Sequence, residues 1–572
     1  MTDITSFQFQ SVDKNVSKMD VARLRLIWAI ALFSLGFMVL IGRTLELGLA
    51  DPVGAVRKTV ATKSGRTVIA PVQMARADIV DRNGEILATN LETSSLAVDA
   101  TMIKDPKGLA RKLAEIIPDV PLATFEKRLS SGKKFVWLKR KLSPAQKWKV
   151  NALGEVGLKF EREEERIYPH GRLAAHVLGY VDVDGNGLAG LEHYFDDEMK
   201  AGSSQVDIGD RTLRTSLDIR VQFALADELS AAMRAHSAVG GAGLVMDVKS
   251  GEVIAMVSLP DYDPNDIRGI SKEALFNRAT KGVYELGSTF KTFTFAAALD
   301  EGVVTLNDGY DATKPLRISR FLIQDDHPKA RYLSVPEIFT YSSNIGTAQM
   351  ALDLGTERQQ EFLNNIGLLQ PAPIEITEVG APMYPTNWRK VSTMTISYGH
   401  GIAVSPLQLA TGISAMVNGG RLIPATLIHQ TDGVREGKQV IKPSTSRQIR
   451  QLLRMVVKKG TGSKASAIGY RVGGKTGTAE KAAAGGYNEK LLISSFVGAF
   501  PMDDPQYVVF ALLDEPKGIK ETHGFRGGGW TAAPVVKNVI LRASPILGIA
   551  PKEEDEGLYR QIAMKIHDDK KR

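Results

Sequence analysis

"YELGSTFKTFTFAAAL" occupies residues 284–299. Its apolar residues Phe290, Phe293, Phe295, Ala296 and Leu299 predict a helix over Thr289–Leu299. Gly287 precedes Ser288, and Lys291 follows three positions later. Residues i and i+3 share one helix face, so a helix opening near Ser288 sets the Lys291 amine beside the serine hydroxyl. A serine hydroxyl is a poor nucleophile until a base takes its proton. Desolvation among apolar side chains lowers a lysine's pKa towards neutrality, which makes it such a base. The helix N-terminus adds backbone N–H groups for a developing oxyanion, and Gly287 removes a side chain that would block the approach. Taken alone, the S-x-x-K spacing arises readily by chance, and a capping serine with a surface lysine is then the better reading.

Two further stretches change the weighing. "YSSNIG" (341–346) carries Ser342-Ser343-Asn344, 54 residues after Ser288, at another expected helix start. "GGKTGTAEK" (473–481) carries Lys475-Thr476-Gly477-Thr478, 133 residues after Ser342. S-x-x-K, S-x-N and K-T-G in this order form the set used by serine acyltransferases that react with penicillin. Independent chance placement of all three is improbable.

Composition narrows the chemistry further. The chain has 572 residues, enough for several domains, and a net charge of 72 − 64 = +8, which favours acidic partners such as an anionic lipid surface or an acidic polymer. It has no cysteine, which excludes disulfides, zinc ribbons and thiol catalysis. Its nine histidines form no HExxH and no tight group, so a histidine metal site has little support and no metal is expected.

"LIWAIALFSLGFMVLIG" (26–42) carries no charge over 17 residues and is bounded by Arg25 and Arg43. A membrane-spanning helix needs roughly 17–25 apolar residues. Lys14, Lys18, Arg23 and Arg25 precede the run, which predicts a cytoplasmic N-terminus and a chain that lies mostly outside. A cleaved signal peptide, with Gly48-Leu49-Ala50 as its cleavage site, and a buried core helix are the competing readings. The long charged lead and the length of the apolar run favour an anchor.

Residues 51–75 read as a polar linker. From 76 to about 215 short strand-like pieces alternate with turns; Asp81-Arg82-Asn83-Gly84 between two apolar runs predicts a hairpin. A second hairpin is expected over 243–260, turning at Lys249-Ser250-Gly251. Helices are expected at Thr289–Leu299, Asn344–Leu354, Pro406–Met416 and Thr445–Val457, followed by strands at 494–500 and 507–516. Strands, then helices, then strands predict an α+β domain with a sheet covered by helices.

Three motifs compete for attention. "GNGLAG" (185–190) fits G-x-G-x-x-G, but the polar sequence after it offers no buried parallel strand, so a tight turn is expected. "GYRVGGKT" (469–476) fits a phosphate-binding loop. It lacks a buried strand before it, however, and Gly477 falls where the first helical turn belongs. "KKFVWLKRK" (133–141) is basic and aromatic, as in nucleic-acid binders. A strand whose lysines and arginines reach past an apolar stem is the better reading.

The chain resembles the class B penicillin-binding proteins, and within them the division-specific (FtsI) type, from the apolar run to about residue 540. "RADIVDRNGEILA" (76–88), "RIYPHGRLAAHVLGYV" (166–181) and "GLAGLE" (187–192) resemble signatures of the family's non-catalytic pedestal. "TSLDIRVQ" (215–222), "VMDVKSGEVIAMVSLPDYDPN" (245–265), "GHGIAVSPLQLA" (399–410) and "FVGAFPMDDPQYVVFALLDEP" (496–516) resemble its transpeptidase domain. "DGNGLAGLE" (184–192) is similar to division rather than elongation members. Leu286 stands where the family usually has proline, and Ala77 where it usually has glycine.

The resemblance implies a cytoplasmic tail (1–25), a transmembrane anchor (26–46) and a linker with an elongated, mostly-β, dimerisation-like pedestal (47–215). A transpeptidase domain (216–545), an antiparallel sheet sandwiched by helices, and a C-terminal tail (546–572) would follow. It implies a peptidoglycan D,D-transpeptidase of the septum, set in the inner membrane with a periplasmic catalytic domain, needing no cofactor and inhibited by β-lactams. Ser288 would attack the stem peptide, Lys291 accept the proton, Ser342 relay it, and Asn344 hold Lys291 and the peptide. Lys475, Thr476 and Thr478 would gather the terminal carboxylate, and Gly477 would let the peptide lie along the strand. The backbone N–H groups of Ser288 and Thr478 would form the oxyanion hole. Partners would be stem peptides, lipid-linked precursor polymer, an FtsW-like membrane glycosyltransferase and other division proteins. An elongation-type transpeptidase, a D,D-carboxypeptidase and a β-lactam-binding sensor share the acylation chemistry and remain alternatives.

Overall fold

The computed structural model describes residues 27–38, 40–41, 76–201, 211–318, 321–431, 433–483, 486–552 and 566. The expected cytoplasmic tail, the linker 51–75 and most of the C-terminal tail lie outside these residues, as do both ends of the expected anchor. Residues 27–38 and 40–41 are helical. Their large apolar side chains, among them Trp28, Phe33, Phe37 and Ile41, are all exposed. Among the described residues no helix is long and apolar enough to cross a membrane.

From residue 76 the first sheet forms around the expected hairpin. β1 (Asp78–Val80) pairs antiparallel with β2 (Ile86–Val98), and Gly84, at φ +91°, makes the turn between them. β3 (Val136–Leu142) and β4 (Leu158–Ile167) both pair antiparallel with β2, and β5 (Thr212–Arg214) runs parallel to β1. β3 is the basic aromatic stretch. Leu138 and Leu142 are buried, while Lys139 pairs with Asp119 and Arg140 with Glu163 at 2.7 Å.

This region is less purely β than its sequence suggests. Helices Pro106–Ile116, Leu122–Leu129 and Pro144–Asn151 pack on the sheet. The first opens on Asp105, whose carboxylate accepts from Gly108 N, with Pro106 at its first position. Leu109, Ala110, Leu113 and Ile117 then recur at helical spacing and are buried. That period lies in the sequence but is masked by short segments and frequent turns. "GNGLAG" is the expected tight turn: Gly185 has φ +81°, Val181 bridges to Gly187, and the short helices Gly190–Tyr194 and Asp196–Ala201 follow.

The second sheet begins with β6 (Gly240–Asp247) and β7 (Val253–Leu259), the expected second hairpin. Three two-stranded ribbons intervene: β8 (Gly309–Asp311) with β11 (Tyr332–Ser334), β9 (Leu316–Ile318) with β10 (Phe321–Ile323), and β12 (Arg421–Leu422) with β13 (Lys438–Gln439). β14 (Gly473–Ala483), β15 (Gly486–Phe500) and β16 (Tyr507–Asp514) complete a five-stranded antiparallel sheet in the order β14-β15-β16-β6-β7. Because Lys475 and Thr476 lie in strand β14, the phosphate-loop reading of 469–476 is excluded: that motif needs a helix opening at the lysine.

Alternation along these strands divides the core. Leu244, Met246, Phe510 and Leu512 face one layer, which holds helices Lys291–Asp300, Pro406–Val417 and Pro443–Lys459. Val245, Val509, Ala511 and Leu513 face the other, which holds helices Ile219–Ala235 and Ala532–Ile546. The expected helices and strands are all present; most ends are shifted by a few residues, while the strand expected from 494 begins at Gly486. Helix Lys291–Asp300 is buried on every side through Leu299, as a helix apolar all round requires. Phe290 and Phe293 meet edge to face at 5.5 Å, and Phe295 meets Phe339 at 4.9 Å. These contacts lock the stem on which Lys291 stands.

Candidate active site

Ser288 lies in a 3-10 turn, Gly287–Phe290, that runs directly into helix Lys291–Asp300. With three residues per turn, positions i and i+3 eclipse one another, so the turn keeps Ser288 and Lys291 on one side of the stem. Ser288 is half-buried and Lys291 fully buried.

Lys291 Nζ donates to three acceptors: the Ser342 carbonyl at 2.5 Å, the Ser342 hydroxyl at 3.0 Å and Asn344 Oδ1 at 2.7 Å. These match the three hydrogens of an ammonium. A neutral amine has two hydrogens and one lone pair, so neutralising Lys291 frees a site for the serine proton. Burial drives that neutralisation, pulling the amine down to about 7 against the opposing attraction of Asp325 and Asp326.

Ser342 ends helix Val335–Tyr341 in the left-handed region, at φ +63°. Ser343 caps the next helix, Asn344–Leu354, its hydroxyl accepting from Gly346 N. The tight passage from one helix to the next is what aims the Ser342 hydroxyl and the Asn344 amide at a single amine.

Lys475 arrives from edge strand β14 and is also fully buried. Its Nζ donates to the Ser342 hydroxyl at 2.9 Å. Burial pushes its pKa well down, and the neighbouring Lys291 pushes it further. Thr476 is buried, its hydroxyl 2.9 Å from that of Thr461. Thr478 is exposed, and its hydroxyl accepts from Gly528 N at 3.1 Å.

The glycines set how closely these elements approach. Gly287 has φ +52°, and a Cβ there would stand 2.5 Å from the Thr478 carbonyl oxygen. The nucleophile turn therefore lies backbone to backbone against β14. A Cβ at Gly477 would stand 2.4 Å from both the Leu286 carbonyl oxygen and the Ser495 hydroxyl. Gly477 thus leaves room for the turn that carries Ser288. Leu286, in the usual proline position, has φ −96° and a buried side chain. That φ lies outside the range proline's ring allows, and core packing holds the backbone instead.

All eight residues singled out from the sequence therefore lie on elements that converge, and five of them, Lys291, Ser342, Asn344, Lys475 and Thr476, form one hydrogen-bonded group. The sequence reading missed Asp325, Thr461 and Gly528. Each is a common residue type on a loop or turn, and no spacing tied any of them to the motifs.

Residues 241–541 match the penicillin binding protein transpeptidase domain, and residues 71–209 match the penicillin-binding protein dimerisation domain. The chain belongs to the class B penicillin-binding proteins. It is 41% identical over 493 residues to the probable peptidoglycan D,D-transpeptidase FtsI of Caulobacter vibrioides, covering 84% of this chain and 83% of that one. It is 29% identical over 513 residues to the peptidoglycan D,D-transpeptidase FtsI of Escherichia coli, covering 84% and 85%. The crystal structure of penicillin binding protein 3 from Mycobacterium tuberculosis complexed with aztreonam shares the fold. Its TM-score is 0.66 at 24% identity, covering 84% of this chain and 98% of that one. Within this penicillin-binding protein, the three motifs occupy the turn before a buried helix, a helix-to-helix corner and an edge strand.

Proposed function

We propose that the protein is a septal peptidoglycan D,D-transpeptidase that cross-links stem peptides through an acyl-enzyme on Ser288 and is inhibited by β-lactams. The observation that carries this is the convergence of Lys291, Ser342, Asn344 and Lys475 beside the Ser288 turn.

Ser288 Oγ attacks the carbonyl carbon between the last two D-alanines, and neutral Lys291 takes its proton. The proton passes through Ser342 to the departing amine, the C–N bond breaks and D-alanine leaves. Asn344 holds Lys291 and the peptide. The amine of a second stem attacks the ester, forms the cross-link and returns Ser288. Backbone N–H groups of Ser288 and Thr478 stabilise the oxyanion; removing one such donor typically lowers the rate by about 10²–10³. Lys475, Thr476 and Thr478 gather the substrate's carboxylate. Strand β14, at the sheet edge, lets the stem peptide add as a further strand.

Residues 26–46 anchor the chain in the inner membrane, with the N-terminus cytoplasmic and the catalytic domain periplasmic. The exposed apolar surface around helical residues 27–38 supports this. The pedestal (47–215) and the anchor offer docking surfaces to an FtsW-like membrane glycosyltransferase and other division proteins, and the transpeptidase domain spans 216–545.

Mass spectrometry after benzylpenicillin treatment tests the chemistry. A covalent adduct is expected on the tryptic peptide Gly282–Lys291 and is expected to vanish in Ser288→Ala; an unmodified peptide overturns the reading. Incubation with stem peptides must yield cross-linked dimer, since hydrolysis alone would mark a carboxypeptidase. A fluorescent fusion must form a midcell band, since uniform side-wall signal would mark an elongation enzyme.

A further inference from the structure

Asp325 follows β10 in a loop that returns to the catalytic corner. Its Oδ1 accepts from Asn344 N at 2.6 Å and from Ile345 N at 2.9 Å, and its Oδ2 accepts from the Ser343 hydroxyl at 2.7 Å. One half-buried carboxylate thus takes three donors from the turn that opens helix Asn344–Leu354. The preceding carbonyl, of Gln324, accepts from Asn344 Nδ2 at 3.0 Å. That bond settles which way the Asn344 amide faces: its nitrogen goes to Gln324, and its oxygen is left for Lys291 at 2.7 Å.

We propose that Asp325 is a positioning residue for acylation, clamping the Ser343–Asn344–Ile345 turn so that Ser342 and Asn344 stay aimed at Lys291. Three observations carry this. Ser342 sits at φ +63°, a conformation that a non-glycine residue keeps only where its surroundings hold it. The residues directly after Ser342 are the ones Asp325 grips. A carboxylate at a helix N-terminus also gains from the helix dipole, so the clamp is charge-assisted rather than a neutral hydrogen bond.

The clamp acts through charge as well as shape. Lys291 faces Lys475 from β14, Asp325 and Asp326 from the loop, and the uncharged Ser342 and Asn344. Asp325 favours the ammonium form of Lys291 and opposes the effect of burial. Neutralising Asp325 therefore lowers the pH at which Lys291 becomes a base, even as the misplaced turn slows the reaction.

This inference rests on the acylation reading, so the experiment begins with the wild-type protein, whose labelling at Ser288 by a fluorescent penicillin tests that reading separately. The second-order labelling rate is then followed against pH for Asp325→Asn, Asp325→Glu and Ser343→Ala. Asp325→Asn is expected to react about 100-fold more slowly, the loss typical of misplaced groups, with its acid limb at lower pH than wild type. Asp325→Glu keeps the charge and is expected to recover most of that loss, with the limb at the wild-type position. Ser343→Ala removes one of the three donors and is expected to slow labelling several-fold without moving the limb. Asp325→Asn labelling within threefold of wild type overturns the proposal. So does a slow Asp325→Asn enzyme with an unmoved limb, the signature of an aspartate that serves stability alone. Where Asp325→Asn does not fold, wild-type rates in both Asp325→Glu and Ser343→Ala overturn it.

Discussion

The amines of Lys291 and Lys475 both donate to the Ser342 hydroxyl, at 3.0 and 2.9 Å. Both amines are fully buried, and two ammonium groups on one oxygen would repel each other strongly at low dielectric. The pair is relieved when one amine is neutral, and that is the form a base requires. The Ser342 Oγ is the one atom that both amines touch.

Ser342→Ala removes that bridge and leaves the backbone carbonyl bond to Lys291 in place. Acylation by a fluorescent penicillin is expected to fall by about 10²–10⁴, the usual weight of a positioned proton-transfer group. The melting temperature should change little, because only a half-buried hydroxyl is lost. Stopped-flow labelling and a thermal melt check the two halves, and a labelling rate within threefold of wild type would remove Ser342 from the proton path.

The rate of acylation should rise with pH around 7. Lys291 has no lone pair below its pKa of about 7 and becomes a base as pH rises through it. Ser288 labelling measured from pH 5 to 9 checks this. A profile flat across pH 6–8 would mean that Lys291 does not set the limb.

Gly287→Ala should damage the site without touching a reacting side chain. The new Cβ would meet the Thr478 carbonyl oxygen at 2.5 Å, and the backbone at φ +52° disfavours any side chain. Strain of this kind costs about 1–3 kcal/mol. The neighbouring Thr478 is backbone and cannot swing away, so labelling should fall along with the melting temperature. A crystal structure of the variant is expected to show the nucleophile turn displaced from β14.

Glu192 is completely buried between Arg76, whose Nε donates at 2.5 Å, and Arg166, whose Nε donates at 2.7 Å; the Tyr168 hydroxyl donates at 3.2 Å. Glu192→Ala takes this carboxylate from two buried guanidinium groups, leaving Arg76 its pair with Asp196 at 2.7 Å; breaking a buried pair in this way typically costs about 3–5 kcal/mol. Urea unfolding should show this loss, while the labelling rate of the folded fraction holds. Unchanged stability would show that the arginines find other partners.

The chemistry was legible in the sequence because S-x-x-K and K-T-G are local. Residue type and spacing along one turn or strand already say which side chains travel together, and the apolar run after Ser288 announces the desolvation that tunes Lys291. The layered α+β domain was legible from hydrophobic period, as was a helix in the region around Asn344–Leu354. The three pedestal helices were missed because short helices set among turns give a weak period. The close approach of Gly477 to the Leu286 carbonyl oxygen was not foreseen, because the two are far apart in sequence.

By itself, then, the sequence determined which motif residues travel together and what kind of element carries each, since propensity and period act over a few neighbouring residues. Tertiary structure alone decided that two lysines meet at one serine, that Gly287 and Gly477 bring strand against turn, and that Asp325 closes on the corner at Asn344. Those facts depend on burial and on contact between distant segments.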